Sequence, residues 1–362
     1  MRTVVAMSGG VDSSVAAGLL AAAGRELIGV SLQTYDHAPD RGFGRCCSPD
    51  DFRDARRVAG KLGFPYYVFD EEERFARAVI DPFVEAYRAG RTPSPCALCN
   101  SEVKFGSLLD KARALGAARV ATGHYARTRR EGARTLLLRG RDPDKDQSYF
   151  LFGLDQDQLA SAEFPVGELT KHEVRTEARR LGLSVADKPE SQEICFVEGS
   201  SYRELVKARA GDLGASGDIV TRDGARLGGH EGLGGFTVGQ RRGLGVAAKE
   251  PLYVIAIEPS SSRVVVGPEA ALRAPGCLVT GVNWIPADRT GEILTCEVRI
   301  RHRHPGARAR VEALPGDRAR VAFEEPQRAV APGQAAVFYD GELVLGGGWI
   351  DAAEPASQAP RG

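Results

Sequence analysis

Apolar positions in the N-terminal third of the chain alternate between short unbroken runs and single helical faces. Thr3-Val4-Val5 is a brief run that suits a buried strand. Val15, Ala16, Leu19, Leu20 and Ala23 follow at the spacing of one helical face, which Gly24 ends. Leu27 to Leu32 reads as a second buried strand. Ser48-Pro49-Asp50-Asp51 opens the next helix, whose face is Phe52, Ala55, Val58, Ala59 and Leu62, ending at Gly63. Residues 65–69 form the third strand, and a helix over 75–87 is interrupted by Pro82. A further helix, capped by Asn100 or Ser101, carries Val103, Phe105, Leu108, Leu109, Ala112 and Leu115. Arg119-Val120-Ala121-Thr122 is another short strand. Strands alternating with helices of this length predict an α/β domain with a doubly wound parallel sheet, whose ligands bind beyond the carboxyl ends of the strands.

The rhythm then shifts. A hairpin is expected around Glu131-Gly132, and Thr170-Lys171-His172-Glu173 is a capping box that starts a helix through Val174, Ala178 and Leu181. Beyond about Gly199 come a short helix at 202–209, a glycine-rich stretch at 211–245, and a hairpin pairing 253–257 with 263–266. From Cys277 onward alternating strands and turns predict a small all-β barrel. The expected division is 1–198, a central domain at 199–270, a C-terminal β-barrel at 271–352 and a disordered tail at 353–362.

Composition narrows the class. Of 362 residues, 43% are hydrophobic and 27% charged, as in an ordinary soluble protein. Lys+Arg and Asp+Glu both number 48, so only local clusters can speak for a nucleic-acid partner. No apolar stretch approaches membrane length, and Met1-Arg2 runs into the first strand without room for a leader, so a cytoplasmic location is expected. Seven cysteines, unevenly spread, fit reactive, metal-bound or simply buried thiols better than structural disulfides. The adjacent pair Cys46-Cys47 reads as structural or incidental.

The chemistry concentrates in a few stretches. Ala6-Met7-Ser8-Gly9-Gly10-Val11-Asp12-Ser13-Ser14 joins a strand to a helix start through small and hydroxyl residues, the build of an anion site. It lacks the Gly-Lys-Ser/Thr of a Walker loop. Gly90 to Asn100 is a stiff, proline-rich loop that places Cys99 at a helix N-terminus, where thiolate is favoured. Half a zinc site is the other reading of Cys96-x-x-Cys99, but no second Cys-x-x-Cys or His-x3-5-His lies nearby. Gly123 permits close approach to a ligand, and His124 is placed to face the strand-end crevice. From 119 to 145 eight basic residues stand against three acids, as a solvated surface or a phosphate footprint. Cys195, between apolar residues, reads from its neighbours as a buried small hydrophobe. Arg299, Arg301 and Arg303 are expected on one face of a strand, with His302, His304, Arg308 and Arg310 nearby.

The opening stretch resembles the pyrophosphate loop of enzymes that split ATP between its α- and β-phosphates. Taken with Gly90-Arg91-Thr92-Pro93, Cys99-Asn100, Ala121-Thr122-Gly123-His124-Tyr125, Asp146-Gln147-Ser148-Tyr149, Gln192-Glu193-Ile194-Cys195-Phe196, Gly239-Gln240-Arg241-Arg242-Gly243-Leu244-Gly245 and Pro332-Gly333-Gln334, the order of motifs resembles the tRNA-specific 2-thiouridylases over nearly the full chain. The resemblance implies an adenine nucleotide alpha hydrolase-like PP-loop domain followed by a tRNA-contacting central domain and the barrel. It implies ATP at Ala6, Met7, Ser8, Gly9, Gly10, Val11, Asp12, Ser13, Leu32 and Gly123, with Mg²⁺ and Asp12 as its candidate ligand. Cys99 matches the nucleophile and Cys195 the persulfide carrier. Ser94, Pro95 and Cys96 match the segment meeting the target base, and His124, Lys145, Asp146, Gln147, Arg301, His302 and Gln334 match tRNA contacts. The implied partners are tRNAs for Lys, Glu and Gln and a cysteine desulfurase or sulfur-relay protein. Cys96 stands where many relatives carry aspartate, so an iron–sulfur cluster on Cys96, Cys99 and Cys195 is an alternative. Two others are a PP-loop ligase acting on a small molecule and a non-catalytic iron–sulfur RNA-binding protein.

Overall fold

The first four strands and the seventh make a parallel sheet. The computed structural model describes residues 2–35, 49–189, 194–197 and 201–354; Cys46, Cys47, Gln192, Glu193 and residues 355–362 lie outside that set. β1 (Arg2–Ala6), β2 (Glu26–Gln33), β3 (Tyr66–Asp70) and β4 (Arg119–Ala121) are followed by a hairpin of β5 (Ala126–Glu131) and β6 (Arg134–Arg139), then by β7 (Ala162–Glu163). The sheet order is β3-β2-β1-β4-β7, with parallel pairing throughout. Strand order reverses between β1 and β4, the crevice where such sheets bind ligands. Helices α1 (Val11–Ala22) and α2 (Pro49–Leu62) pack on the sheet through Val15, Ala16, Ala55, Val58 and Ala59, in one core with Val5 and Tyr125. Full burial of each valine there contributes roughly 1.5–3 kcal/mol.

Contacts divide the chain into two units. Met1–Ile80, Pro95–Gly199 and Glu342–Val344 form the first; Asp81–Ser94, Ser200–Gly341 and Leu345–Gly362 form the second. Helical segments Glu72–Phe75 and Asp81–Arg88 are joined by wide π-helical turns over Ala76–Ile80. Pro82 explains the widening, because its ring and missing N–H disturb the ordinary ladder to the preceding turn.

In the second unit, β8 (Gly217–Thr221), β9 (Arg226–His230), β10 (Tyr253–Glu258) and β11 (Arg263–Gly267) form a sheet in the order β10-β11-β8-β9 over a core of Ile219, Phe236, Val254 and Val264. β12 (Arg273–Trp284), β13 (Ile293–Arg299), β14 (Ala307–Leu314), β15 (Arg318–Arg328), β16 (Ala335–Asp340) and β17 (Leu343–Glu354) run β12-β15-β14-β13-β16-β17, and pairing of β12 with β17 closes a six-stranded barrel. β17 reaches Glu354, two residues into the stretch expected as a tail.

Two expectations are corrected. The helix carrying Cys99 starts at Pro95, not at Asn100 or Ser101: Pro95–Leu98 continues through π turns over Cys99–Ser107 into Leu108–Ala114. Pro95 suits a first helical position, where its missing N–H costs nothing, and Ser101 Oγ bonds back to the carbonyls of Ala97 and Leu98 instead of capping. The strand expected to carry Arg299, Arg301 and Arg303 stops at Arg299, and residues 300–306 form a turn. Pro305 has no ladder N–H, Gly306 takes φ +99°, and His304 N–H closes the turn on the Arg301 carbonyl at 3.0 Å.

Candidate active site

The loop from Met7 to Gly10 leaves the carboxyl end of β1 at the sheet's reversal point. Met7 N–H still donates to Val30 O at 2.8 Å, extending the sheet by one residue. The chain then turns through Gly9 at φ +72°, where an added Cβ would strike the Asp51 main chain. Ser13 Oγ accepts from Ser8 N (3.2 Å) and donates to Gly10 O (3.2 Å), and Ser14 Oγ donates to Gly10 O (2.8 Å). Gly10 precedes α1 with no side-chain cap, so the helix start presents backbone N–H groups to an anion. Ala6 and Leu32, half-buried, lie at the carboxyl ends of neighbouring strands, while Met7 and Val11 are core residues.

Gly123 closes the crevice from β4. An added Cβ would lie 2.5 Å from Ser13 N and 2.7 Å from Asp12 C, so the close approach it permits is to α1 itself. His124 is buried against Phe105 and Phe164, with Nδ1 2.7 Å from Thr122 Oγ1. Burial first, then the Lys104 charge, pushes its pKa well below the usual value, so the imidazole is neutral.

Three partners of this loop escape sequence reading. Lys171 Nζ donates to both carboxylate oxygens of Asp12, at 2.7 and 2.8 Å, and Tyr125 Oη donates to Oδ1 at 2.7 Å. Lys188 Nζ reaches Gly9 O (3.0 Å), Asp51 (2.7 Å) and Asp54 (2.7 Å). Desolvation alone would lower the Lys188 pKa, but hydrogen bonds and charges of the two aspartates together raise it, keeping the ammonium charged. In the sequence Lys171 reads only as part of a capping box and nothing singles out Lys188; folding alone brings them to the glycines. Glycine floor, exposed N–H groups and two ammonium ions fit a triphosphate. Among the described residues no group of three or more His, Cys, Asp and Glu side chains converges to hold a metal. A bound Mg²⁺ would find Asp12, already held by Lys171 and Tyr125, as its candidate carboxylate and would help to neutralise the phosphates.

The thiols lie in the same unit. Cys96 is exposed in the first turn of the Pro95 helix, and Cys99 is half-buried one turn on. The dipole argument made for Cys99 therefore falls more directly on Cys96. Cys195 is half-buried rather than sunk in the core. Tyr35 Oη, just past β2, donates to the Cys195 carbonyl, and Phe196 packs edge-on to Phe75 at 5.6 Å. The segments Glu72–Phe75 and Ala76–Ile80 also pack against the Cys99 helix, so one scaffold supports both thiols. Among the described residues Cys96, Cys99 and Cys195 do not converge with one another or with other ligands into a metal-holding group, which leaves the cluster alternative without support. Cys277 and Cys296 are buried in the barrel, and burial pushes both thiols up to about 12.

The remaining positions divide by role. Asp146 Oδ1 accepts from Gly140 N (3.1 Å) and Ser148 N (3.0 Å), and Gln147 brackets Tyr125, accepting from its N–H at 3.0 Å and donating N–H to its carbonyl at 2.9 Å. Lys145, half-buried, lies beside them. The local excess of base is met by distant acids: Arg127 pairs with Glu342 and Arg141 with Glu173. Within the second unit Gln334 Nε2 donates to the carbonyls of Thr92 (3.0 Å) and Pro93 (3.1 Å), bracing the segment that leads through buried Ser94. Arg299 turns inward, donating to the carbonyls of His302 and His304, while Arg301 and Arg303 stay exposed and His302 is half-buried.

Family comparisons agree with this build. Residues 1–199 match the model described as tRNA methyl transferase HUP domain, 204–268 the tRNA methyl transferase PRC-barrel domain, and 275–350 the aminomethyltransferase beta-barrel domain. The chain is thus a HUP-type α/β protein carrying two barrel domains. The tRNA-specific 2-thiouridylase MnmA of Geobacter metallireducens is 54% identical over 358 residues, 97% of each chain. Those of Geotalea uraniireducens and Solibacter usitatus are 52% and 51% identical, covering 97% and 96% of this chain and 95% and 98% of theirs. The chain belongs to the tRNA-specific 2-thiouridylase (MnmA) family.

Proposed function

We propose that the protein replaces the C2 oxygen of the wobble uridine of tRNA with sulfur, at the expense of ATP cleaved to AMP and pyrophosphate. One observation carries the reading: a pyrophosphate-type loop and two half-buried thiols, Cys99 and Cys195, share one unit. Carbonyl oxygen is a poor leaving group; an adenylyl group from ATP lets it depart as AMP and leaves C2 electrophilic. Loop N–H groups, Lys171 and Lys188 hold the phosphates against the α1 dipole.

A sulfur donor, a cysteine desulfurase or relay protein, loads Cys195 as a persulfide. The Cys99 thiolate attacks the inner sulfur, forming the Cys99–Cys195 disulfide and expelling hydrosulfide, which adds to C2 and displaces AMP. An external thiol then reduces the disulfide. Ser94, Pro95 and Cys96 meet the splayed base, and His124, Lys145, Asp146, Gln147, Arg301, His302 and Gln334 are the tRNA-contacting residues. The substrates are tRNAs for Lys, Glu and Gln, and the setting is the cytoplasm. Among the described residues no helix is long and apolar enough to cross a membrane.

In a reaction with ATP, tRNA and a persulfide donor, Cys99→Ser and Cys195→Ser each abolish 2-thiouridine, read by nucleoside mass spectrometry, while tRNA binding persists. Product retained in either variant overturns the relay.

A further inference from the structure

The two residues that hold Asp12 are both gripped by one short segment. Tyr125 is held through its main chain by Gln147, in the reciprocal pair at 3.0 and 2.9 Å. Lys171 is held through its main chain by Asp142, whose Oδ2 accepts the Lys171 N–H at 2.8 Å. Asp142 and Gln147 bound the stretch 142–147, which includes the RNA-contacting positions of the proposed function. At the far end of these connections Tyr125 Oη and Lys171 Nζ converge on one carboxylate, and Lys171 Nζ lies 5.9 Å from the centre of the Tyr125 ring. Tyr125 is 3% exposed and packs in the core with Met7, Val11 and Val15, so its ring cannot swing independently of its backbone.

We propose that Tyr125 and Lys171 are positioning residues that couple RNA at 142–147 to the nucleotide loop by setting the orientation of the Asp12 carboxylate. When RNA engages Lys145 and Gln147, the shift of this segment displaces the main chains of Tyr125 and Lys171 together. Their hydroxyl and ammonium then carry the shift to Asp12, the acid that faces the phosphates. Close-packed interiors transmit such displacements as changes between discrete arrangements. The nucleotide site is thereby completed when the target RNA is in place, which limits ATP cleavage without substrate. This rests on the proposed reading of the loop as a nucleotide site and of 145–147 as an RNA contact.

Coupling is measured as a ratio: the affinity for α,β-methylene ATP with an anticodon stem-loop RNA present, divided by the affinity without it. Full-length wild type is expected to show a ratio of about ten or more, and linkage requires the same factor in RNA affinity with and without nucleotide. Tyr125→Phe deletes only the hydroxyl, and Asp142→Ala removes the grip on Lys171 together with the turn bond from Asp144 N; each is expected to cut the ratio at least about threefold. Asp142 is outside the core, so its variant keeps the test alive if the tyrosine change disturbs folding. Changes in single-ligand affinities with the ratio preserved in both variants overturn the proposal, as does a wild-type ratio of one when both ligands bind. Failure of wild type to bind nucleotide or RNA at all instead overturns the underlying reading.

Discussion

In the loop after β1 and the first turn of α1, polar side chains close on partners of the same unit: Ser13 on Ser8 and Gly10, Asp12 on Lys171 and Tyr125. In the turn between β13 and β14, Arg299 folds inward onto carbonyls, while Arg301 and Arg303 remain at the surface. The loop is set in advance for one anion in one orientation. The turn keeps its positive charge at the surface, with Arg301 Nη1 on the Arg328 carbonyl at 3.3 Å, and in the proposed function it meets a polyanion whose contacts need no fixed geometry. A phosphate undergoing chemistry needs its donors in place beforehand, whereas a phosphate backbone being docked is served by charge alone.

The sharpest way to break the comparison is to disturb the loop's fit. Gly123→Ala places a Cβ against Ser13 N, so α1 must shift; overpacking of this kind costs about 1–3 kcal/mol. Thermal unfolding is expected to fall by roughly 2–12 °C for a domain of this size, with loss of nucleotide binding. An unchanged midpoint and unchanged nucleotide affinity would show the loop to be adaptable too.

Acid pH probes both regions at once, because each holds a buried histidine. Burial lowers the pKa of His124 and, less strongly, of His304, whose Nδ1 accepts from Gly306 N at 3.2 Å. A base with a lowered folded pKa stabilises the fold above its unfolded value, about 6.5, and that stability is lost as pH falls toward the folded value. Lowering the pH from about 7.5 to about 5 is expected to destabilise the fold through both histidines, and more through His124. Urea unfolding at the two pH values checks this, and His124→Asn is expected to remove the larger share. Equal acid sensitivity in wild type and His124→Asn would mean that another group governs it.

The smallest expected effect lies in the turn. Arg301→Ala with Arg303→Ala is expected to weaken tRNA binding only several-fold and reduce its salt slope by about 1–2, with stability unchanged within about 0.5 kcal/mol. A large loss of stability would show that the turn depends on these side chains.

How much of this was legible depended on sequence distance. The loop was readable because strand, glycines and helix start are contiguous, and short apolar runs alternating with helices announced the parallel sheet. The barrel was readable from alternation and turn residues. Lys171, Lys188 and Tyr125 were not assigned to the loop, because tertiary folding joins them to Asp12 and Gly9 across long stretches of chain. The arginine strand was misread because period two was carried on to Arg303, while the turn that Pro305-Gly306 helps to form already begins after Arg299. The start of the Cys99 helix was misplaced because Asn100 and Ser101 look like caps, while Pro95 marks the true first turn.

The central claim is that the β1–α1 loop activates a tRNA oxygen by splitting ATP at the α-phosphate. Incubation with α-³²P-labelled ATP, unmodified tRNA and a persulfide donor, followed by chromatography, reads this directly. AMP is predicted, one per 2-thiouridine formed, with pyrophosphate as the companion product. ADP, or 2-thiouridine formed without AMP, would contradict the account.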